Sequence, residues 1–154
     1  MYKVKLLLLS ILSVFLISCN TGPDSPRGFS LPQGDVSKGE TVFSKYKCLA
    51  CHSLSGFEDD SIIKEFEQPI RLGGTSSIVK TYAQLVTAVI NPSHELAPRA
   101  IRLESVVDEN GKSKMRVFND VMTVTELIDL VAFLQPQYKV KPIQYTTYGQ
   151  YRVP

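Results

Sequence analysis

Residues 46–55 read YKCLACHSLS, and Cys48, Cys51 and His52 stand within five positions of one another. Proteins use two thiols and an imidazole this close together for a metal ion, for a thiol redox couple or for a covalently attached haem. Because each use requires a different surrounding structure, the choice among them determines the fold that we expect for the rest of the chain.

The pattern around Cys48 and Cys51 favours haem. A structural zinc site usually has four ligands, but the chain has only one further histidine, His94, and adjacent Cys51 and His52 fit one tetrahedral ion poorly. A redox pair of this spacing is expected within a βαβ unit, whereas the residues before Cys48 are predicted to be helical. Cys-x-x-Cys-His is the attachment pattern of c-type haem. We therefore predict one covalent haem c, bound through Cys48 and Cys51, with His52 as an iron ligand.

The first 18 residues predict export. Lys3 and Lys5 precede an apolar run, residues 6–17, which has the length of a signal peptide. The run ends in Leu-Ile-Ser-Cys19, which resembles the lipobox of bacterial lipoproteins, and this resemblance implies cleavage before Cys19 and lipid attachment to its sulfur. Several acyl chains anchor a protein stably. We predict an anchor on the periplasmic side of a bacterial membrane, and Asn20 in place of Asp favours the outer membrane.

Length and composition indicate one domain with flanking segments. The chain has 154 residues, 44% of them hydrophobic, and its net charge of +2 comes entirely from Lys3 and Lys5. The near-neutral remainder gives no indication of nucleic-acid binding. Residues 19–34 contain the lipidated Cys19 and a Pro- and Gly-rich tether, residues 35–136 are the predicted domain, and residues 137–154 form a tail with four of the seven tyrosines.

Two helices are predicted on either side of a long polar connection. The first covers about residues 36–47, and either Asp35 or Ser37 can cap its start. The second covers residues 82–90, because its apolar positions recur at helical spacing and Thr81 with Gln84 forms a capping box. The connection between them, residues 53–79, is predicted to be irregular.

A third helix is predicted near the end of the domain, over residues 124–135. Thr123 and Glu126 form its capping box and Pro136 ends it. Its predicted buried stripe consists of Val124, Leu127, Ile128, Val131 and Leu134. Ahead of this helix, residues 109–112 read Glu-Asn-Gly-Lys, which predicts a hairpin turn.

The sixth ligand of the haem iron decides between a closed and an open site. Met115, Met122 and His94 are the candidates, since Met1 belongs to the signal. Met115 lies in an extended stretch after the predicted hairpin turn, from which a loop can reach the far face of a haem. Met122 directly precedes the cap Thr123 and can pack onto that helix instead. Position therefore favours Met115, and Met122 and His94 remain alternatives.

The domain resembles class I cytochrome c over about residues 35–136. Residues 39–43, GETVF, followed by CLACH resemble that family's first helix and haem motif, residues 126–134, ELIDLVAFL, resemble its last helix, and residues 114–118, KMRVF, match the segment with the axial Met. The resemblance implies an all-α fold of three or four helices around one haem, with a short hairpin or loop that places Met115 on the iron. It also implies that Phe133 packs against Gly39 and Phe43. Arg116 stands where the family commonly has proline.

These patterns predict an electron-transfer protein rather than an enzyme. We expect a membrane-tethered one-electron carrier whose partners are redox proteins, with no small-molecule substrate. One alternative is a haem subunit of a larger oxidoreductase, with the tyrosine-rich tail as a docking segment, although that tail can equally pack on its own domain. Another is a haem enzyme or sensor with an open sixth site.

Two sets of residues are expected around the haem. Lys45, Lys47 and Lys114 can form a modest basic patch for partner docking. An apolar shell is expected to exclude water from the haem. Its predicted members are Phe43, Leu85, Val89, Val117, Phe118, Leu127, Val131 and Leu134.

Overall fold

The computed structural model describes residues 29–77, 79–96 and 105–142. The chain divides into two units, Met1–Leu31 and Pro32–Pro154, and every helix and strand given below belongs to the second. The predicted signal peptide, Cys19 and most of the tether lie outside the described residues. Within the described part, no helix combines the length and the apolar character needed to cross a membrane.

Helix α1 (Val36–Lys45) begins at Asp35, whose carboxylate accepts hydrogen bonds from the backbone N–H groups of Ser37 and Lys38 at 2.9 and 3.1 Å. Asp35 is thus the cap, because its side chain satisfies two of the N–H groups that the start of a helix leaves unpaired. The helix ends two residues before the predicted end. Lys47 then adopts a φ of 52°, in the left-handed region that turns the chain sharply.

Helices α2 (Tyr82–Ile90) and α3 (Val124–Leu134) confirm the other two helix predictions. Each begins with the predicted capping box, in which the Thr side chain accepts from the backbone and the Gln or Glu side chain accepts in return. Pro136 lies in a short 3-10 turn, Gln135–Gln137, directly after α3.

The buried face of α3 differs from the predicted stripe. Val124 is 70% exposed, and Leu127 and Ile128 are only half-buried. Val131 and Leu134 are buried as predicted, but the prediction was wrong for the other three members because only the second half of α3 enters the core. Its buried residues are Asp129, Leu130, Val131, Phe133 and Leu134.

The contact between α1 and α3 forms the centre of the core. A Cβ atom on Gly39 would overlap the backbone carbonyl of Asp129 and lie 2.6 Å from Phe133 Cβ, so only glycine permits this approach. The Phe43 and Phe133 rings, both almost fully buried, lie 5.5 Å apart, and Phe57 meets Phe133 edge-on at 5.0 Å. The expected packing of Phe133 against Gly39 and Phe43 is confirmed.

The predicted all-α class is wrong for the described part of the chain, which contains two parallel pairs of short strands beside the three helices. Strand β1 (His52–Leu54) pairs with β2 (Ile70–Leu72), and β3 (Gly74–Ser76) pairs with β4 (Tyr138–Val140). Three residues are too few for an alternating pattern to stand out, and each pairing joins segments far apart in sequence. The connection that we predicted to be irregular therefore contains two strands and the end of a third.

The first residues of the predicted tail belong to this structure. Gly74 pairs with Tyr138 and Ser76 with Val140, and Lys141 N–H donates to the Ser76 carbonyl at 2.9 Å. Gly73 has a φ of 70°, and a Cβ on it would lie 2.8 Å from the Gln137 carbonyl oxygen. The start of the tail thus packs on its own domain. Tyr145, Tyr148 and Tyr151 lie outside the described residues.

Candidate functional site

Three segments enclose a cavity of about 550 Å³ beside the cysteine pair. This volume falls in the range of roughly 300–1,000 Å³ that is usual for cofactor and ligand sites. The segments are residues 46–52, which we call the motif wall, residues 61–65, the loop wall, and residues 114–118, the methionine wall. The cavity is lined by Tyr46, Lys47, Cys48, Ala50, Cys51, His52, Ser61, Ile62, Ile63, Glu65, Lys114, Met115, Arg116 and Phe118.

The motif wall is a tight turn between α1 and β1. Cys48–Ala50 form a single 3-10 turn, in which the Ala50 N–H donates to the Lys47 carbonyl and the Cys51 N–H to the Cys48 carbonyl. The left-handed backbone conformation of Lys47 is strained for a residue with a side chain. Residues with such strained backbones cluster at functional sites. The turn brings both thiols to the same cavity without joining them in a disulfide.

Both thiols are protonated at neutral pH. Burial is the main cause that raises the pKa of Cys48 to about 11. Burial also raises the pKa of Cys51 to about 11, and the thiol donates a hydrogen bond to the Glu65 carboxylate at 3.4 Å, which adds to the rise. Redox-active thiol pairs have lowered pKa values instead. The environment of these cysteines therefore does not favour a thiol redox couple.

His52 is oriented by the pairing of β1 with β2. Its Nδ1 lies 3.2 Å from the Ile70 carbonyl oxygen, which only accepts, so this contact places the proton on Nδ1. Nε2 is then left as the atom that can bind a metal, the usual arrangement for a histidine ligand. Burial lowers the pKa of His52, so the imidazole is neutral at pH 7, as a ligand must be.

The methionine wall follows the predicted hairpin turn. Gly111 has a φ of 71°, and Val107 and Ser113 form a single antiparallel bridge, so the turn is confirmed although no hairpin strands accompany it among the described residues. Lys114 N–H donates to the Val106 carbonyl at 2.8 Å, and Met115 N–H to Ser113 Oγ at 3.1 Å. Half-buried Met115 thereby lines the same cavity as the cysteine pair and His52.

The two alternative sixth ligands lie elsewhere. Met122 is in the turn before α3, where its N–H donates to the Phe118 carbonyl, and it does not line the cavity. His94 is exposed and lines a separate cavity of about 180 Å³ with Lys80, Gln84 and Glu95. Of the three candidates, only Met115 is near the cysteine pair.

The loop wall was not predicted from the sequence. Glu65 N–H donates to the Ala50 carbonyl at 2.8 Å, which fastens this wall to the motif turn. Ile63 is 88% exposed although it lines the cavity, whereas Ile62 is half-buried. The available signal was the pair of neighbouring isoleucines in a mostly polar connection, since an exposed apolar pair often marks a binding site.

Charges around the cavity are mostly positive. Among the residues that the structure describes, the cavity is lined by Lys47, Lys114 and Arg116, against the single carboxylate of Glu65. Lys45 contributes less positive charge to the predicted basic patch than expected, because it forms an ion pair with Glu126. Arg116 stands over the Phe118 ring, with its guanidinium carbon 5.6 Å from the ring centre.

Most residues that were predicted to form the apolar shell lie in the core of the domain and do not line the cavity. Among its eight members only Phe118 lines the cavity, and Val117 is 56% exposed. Leu127 is half-buried, while the other five are buried elsewhere in the domain: Phe43, Leu85, Val89, Val131 and Leu134. Besides Phe118, the large apolar or aromatic side chains that line the cavity include those of Tyr46, Ile62 and Ile63.

Comparison of the chain with protein-family models, curated proteins and solved structures gave no match. In residues 29–77, 79–96 and 105–142, no three His, Cys, Asp or Glu side chains are grouped so that they could hold a metal ion by themselves. Functional inference therefore depends on the chemistry of the cavity and its three walls.

Proposed function

We propose that this chain is a c-type haem protein that transfers single electrons. The observation that supports this proposal is the composition of one cavity, in which Cys48, Cys51 and His52 on the motif wall meet Met115 on the methionine wall. These four residues were selected from the sequence for their chemistry. They come from segments more than 60 positions apart in the chain.

The cavity suits a haem in size, polarity and charge. Two thiols three positions apart match the spacing at which c-type haem is attached. A neutral, oriented imidazole and a thioether are the axial ligands of electron-transferring haem proteins. Haem also bears two carboxylates, and Lys47, Lys114 and Arg116 provide positive charge at the walls.

Each wall has a separate task in this proposal. Cys48 and Cys51 would hold the cofactor and His52 would bind its iron through Nε2, while the Ile70 carbonyl holds the imidazole ring. Met115 provides the sixth ligand, and Phe118 and Ile62 exclude water. When bound, haem supplies a one-electron couple, and His with Met ligation raises its potential. Since both axial ligands belong to the chain, the site is closed to substrates.

Absorption spectroscopy tests the proposal directly. Protein purified from a host that attaches c-type haem should show the bands of that cofactor in the oxidised and reduced states. The weak near-infrared band of a sulfur-to-iron bond should be present and should vanish in Met115→Ala. Met122→Ala and His94→Ala are matched controls that should keep it.

Two outcomes would contradict this proposal. Colourless protein with both thiols free would exclude haem attachment. Wild-type protein that lacks the sulfur band and readily binds carbon monoxide when reduced would indicate an open sixth site, and hence a sensor or enzyme.

We also propose that the domain is held at the periplasmic side of a bacterial membrane by lipid on Cys19. The support comes from the signal-like residues 1–18 and the Leu-Ile-Ser-Cys19 ending. A tether of about 15 residues keeps a domain close to the membrane and raises its effective concentration for membrane-bound redox partners. Replacing residues 1–19 by a cleavable signal peptide without a lipidation cysteine should release the protein from the membrane fraction, and continued membrane retention would contradict the anchor.

A further inference from the structure

Tyr46 connects two walls of the cavity. It lies on the motif wall, two residues before Cys48, and is half-buried. Its hydroxyl donates to the Val121 carbonyl at 2.8 Å, with Glu126 Oε2 as a second acceptor at 3.0 Å. Its ring meets the Phe118 ring edge-on at 5.3 Å. These contacts extend from the motif wall to the last residue of the methionine wall and to the turn that follows it.

Two hydrogen bonds hold the opposite end of the methionine wall, at Lys114 and at the preceding Ser113. Lys114 N–H bonds to the Val106 carbonyl, and Ser113 N–H bonds to Ser93 Oγ at 3.1 Å. These bonds fix the wall to the hairpin turn and to the segment after α2. Neither bond reaches the motif wall, whereas the contacts of Tyr46 do.

We propose that Tyr46 is a positioning residue for the sixth iron ligand, since it holds the methionine wall at the distance from the motif wall that keeps the Met115 sulfur on the iron. This inference rests on the proposed function. Tyr46 acts through Phe118 and the Val121 carbonyl and does not itself bind the iron. Residues behind a metal ligand that fix its position commonly have such effects on ligand binding.

The anchor behind Tyr46 is rigid. Glu126, which accepts from its hydroxyl, also binds Lys45 of α1 and caps α3 through Thr123. Both helices meet at Gly39 and Phe133, where the approach is too close to slide freely. The hydroxyl of Tyr46 is therefore linked through Glu126 to both helices of this contact, and its ring carries the link to Phe118 on the methionine wall.

Displacement of Met115 by imidazole measures this positioning. In the oxidised holoprotein, imidazole competes with the methionine sulfur, so its apparent affinity reports how readily the sulfur leaves. Tyr46→Phe keeps the ring and removes one donor, and we expect imidazole to bind about fivefold to tenfold more tightly, the effect of one hydrogen bond. Tyr46→Leu removes the ring as well and should lose the near-infrared sulfur band at neutral pH.

Thr81→Ala is the matched control. It removes the cap of α2, none of whose residues line the cavity, so it should lower the melting temperature while imidazole affinity stays at the wild-type value. This control separates positioning from general loss of stability. If Tyr46→Leu does not fold, Tyr46→Phe against Thr81→Ala decides the question.

Three results would overturn the inference, and they are distinguishable. Wild-type imidazole affinity and an unchanged sulfur band in Tyr46→Phe would exclude positioning while leaving the haem proposal intact. The same gain in imidazole affinity in Thr81→Ala would assign the effect to stability alone. Wild-type protein without haem would remove both proposals together.

Discussion

The contact between α1 and α3 and the walls of the cavity are built in different ways. At the helix contact, fully buried rings and a glycine bring two regular elements into direct backbone contact. The cavity walls are turns and loops, and single hydrogen bonds and one aromatic pair hold them in place. The difference suggests that stability resides mainly in the helix contact, and that the cavity walls can change with little effect on the fold.

The largest expected effect is at the centre of the helix contact. Phe133 is 1% exposed and contacts the rings of Phe43 and Phe57. Phe133→Ala should lower the free energy of unfolding by about 4 kcal/mol, because it leaves a cavity that the packed helices cannot close. Urea denaturation checks this value, and a loss below about 1 kcal/mol would show that the contact is not the main source of stability.

The second effect comes from the close approach at Gly39. In Gly39→Ala the new methyl group would overlap the Asp129 carbonyl, so α1 and α3 must separate, at a cost of about 3 kcal/mol. Ser44→Ala, on the exposed face of the same helix, is the control and should change stability by less than about 0.5 kcal/mol. Equal stability of the two variants would mean that the helices are free to shift.

The third effect comes from the ion pair between Lys45 of α1 and Glu126 of α3, and it depends on pH. The Lys45 side chain, and next the Thr123 N–H, lower the pKa of Glu126 to about 2, compared with 4.5 for an ordinary glutamate. A carboxylate whose pKa is lower in the folded than in the unfolded protein stabilises the fold at pH values above its unfolded-state pKa. This stabilisation is lost as the pH falls through the folded-state pKa. Glu126→Gln, which preserves the capping box, should therefore melt below wild type at pH 7.

The difference in melting temperature should shrink as pH falls from about 4.5 to about 2. Thermal scans at pH 7, 4 and 2.5 measure it. Glu40→Gln, at an exposed position on α1, is the matched control for the removal of one carboxylate. A constant difference for Glu126→Gln would mean that the ion pair with Lys45 does not form in solution.

The smallest effect on stability is expected at the loop wall. Because Ile63 is 88% exposed, Ile63→Ser should change the free energy of unfolding of haem-free protein by less than about 0.5 kcal/mol. If the cavity holds haem as proposed, the same change should admit water to the cofactor and lower its reduction potential, which redox titration measures. An unchanged potential would show that Ile63 does not cover the cofactor.

The parts of the fold that were predicted correctly depend on local signals. Thr81 with Gln84 and Thr123 with Glu126 define helix starts within four residues, and Pro136 limits α3 in the same way. Such patterns need no knowledge of distant residues. The chemistry of Cys48, Cys51 and His52 is equally local, because one turn brings them together.

The parts that were missed depend on distant partners. Each strand has only three residues and pairs with a segment elsewhere in the chain, so the sequence offered no alternation to detect. Buried Asp129 accepts from the Asp35 N–H, 94 positions away, at 2.7 Å. The partners of the Tyr46 hydroxyl, the Val121 carbonyl and Glu126, are likewise 75 and 80 positions away and meet it only once α3 is packed.

Strand β4 sets a practical limit on how the chain can be shortened. Shortened versions of a protein are often ended where the last helix stops, which here would be near Pro136. Such a cut would remove Tyr138–Val140 and leave the backbone groups of Gly74–Ser76 without the hydrogen bonds that they now make. An uncovered strand edge invites association with other molecules. Any soluble version prepared for crystallisation or electrochemistry should therefore extend at least to Lys141, whose N–H makes the last of these bonds.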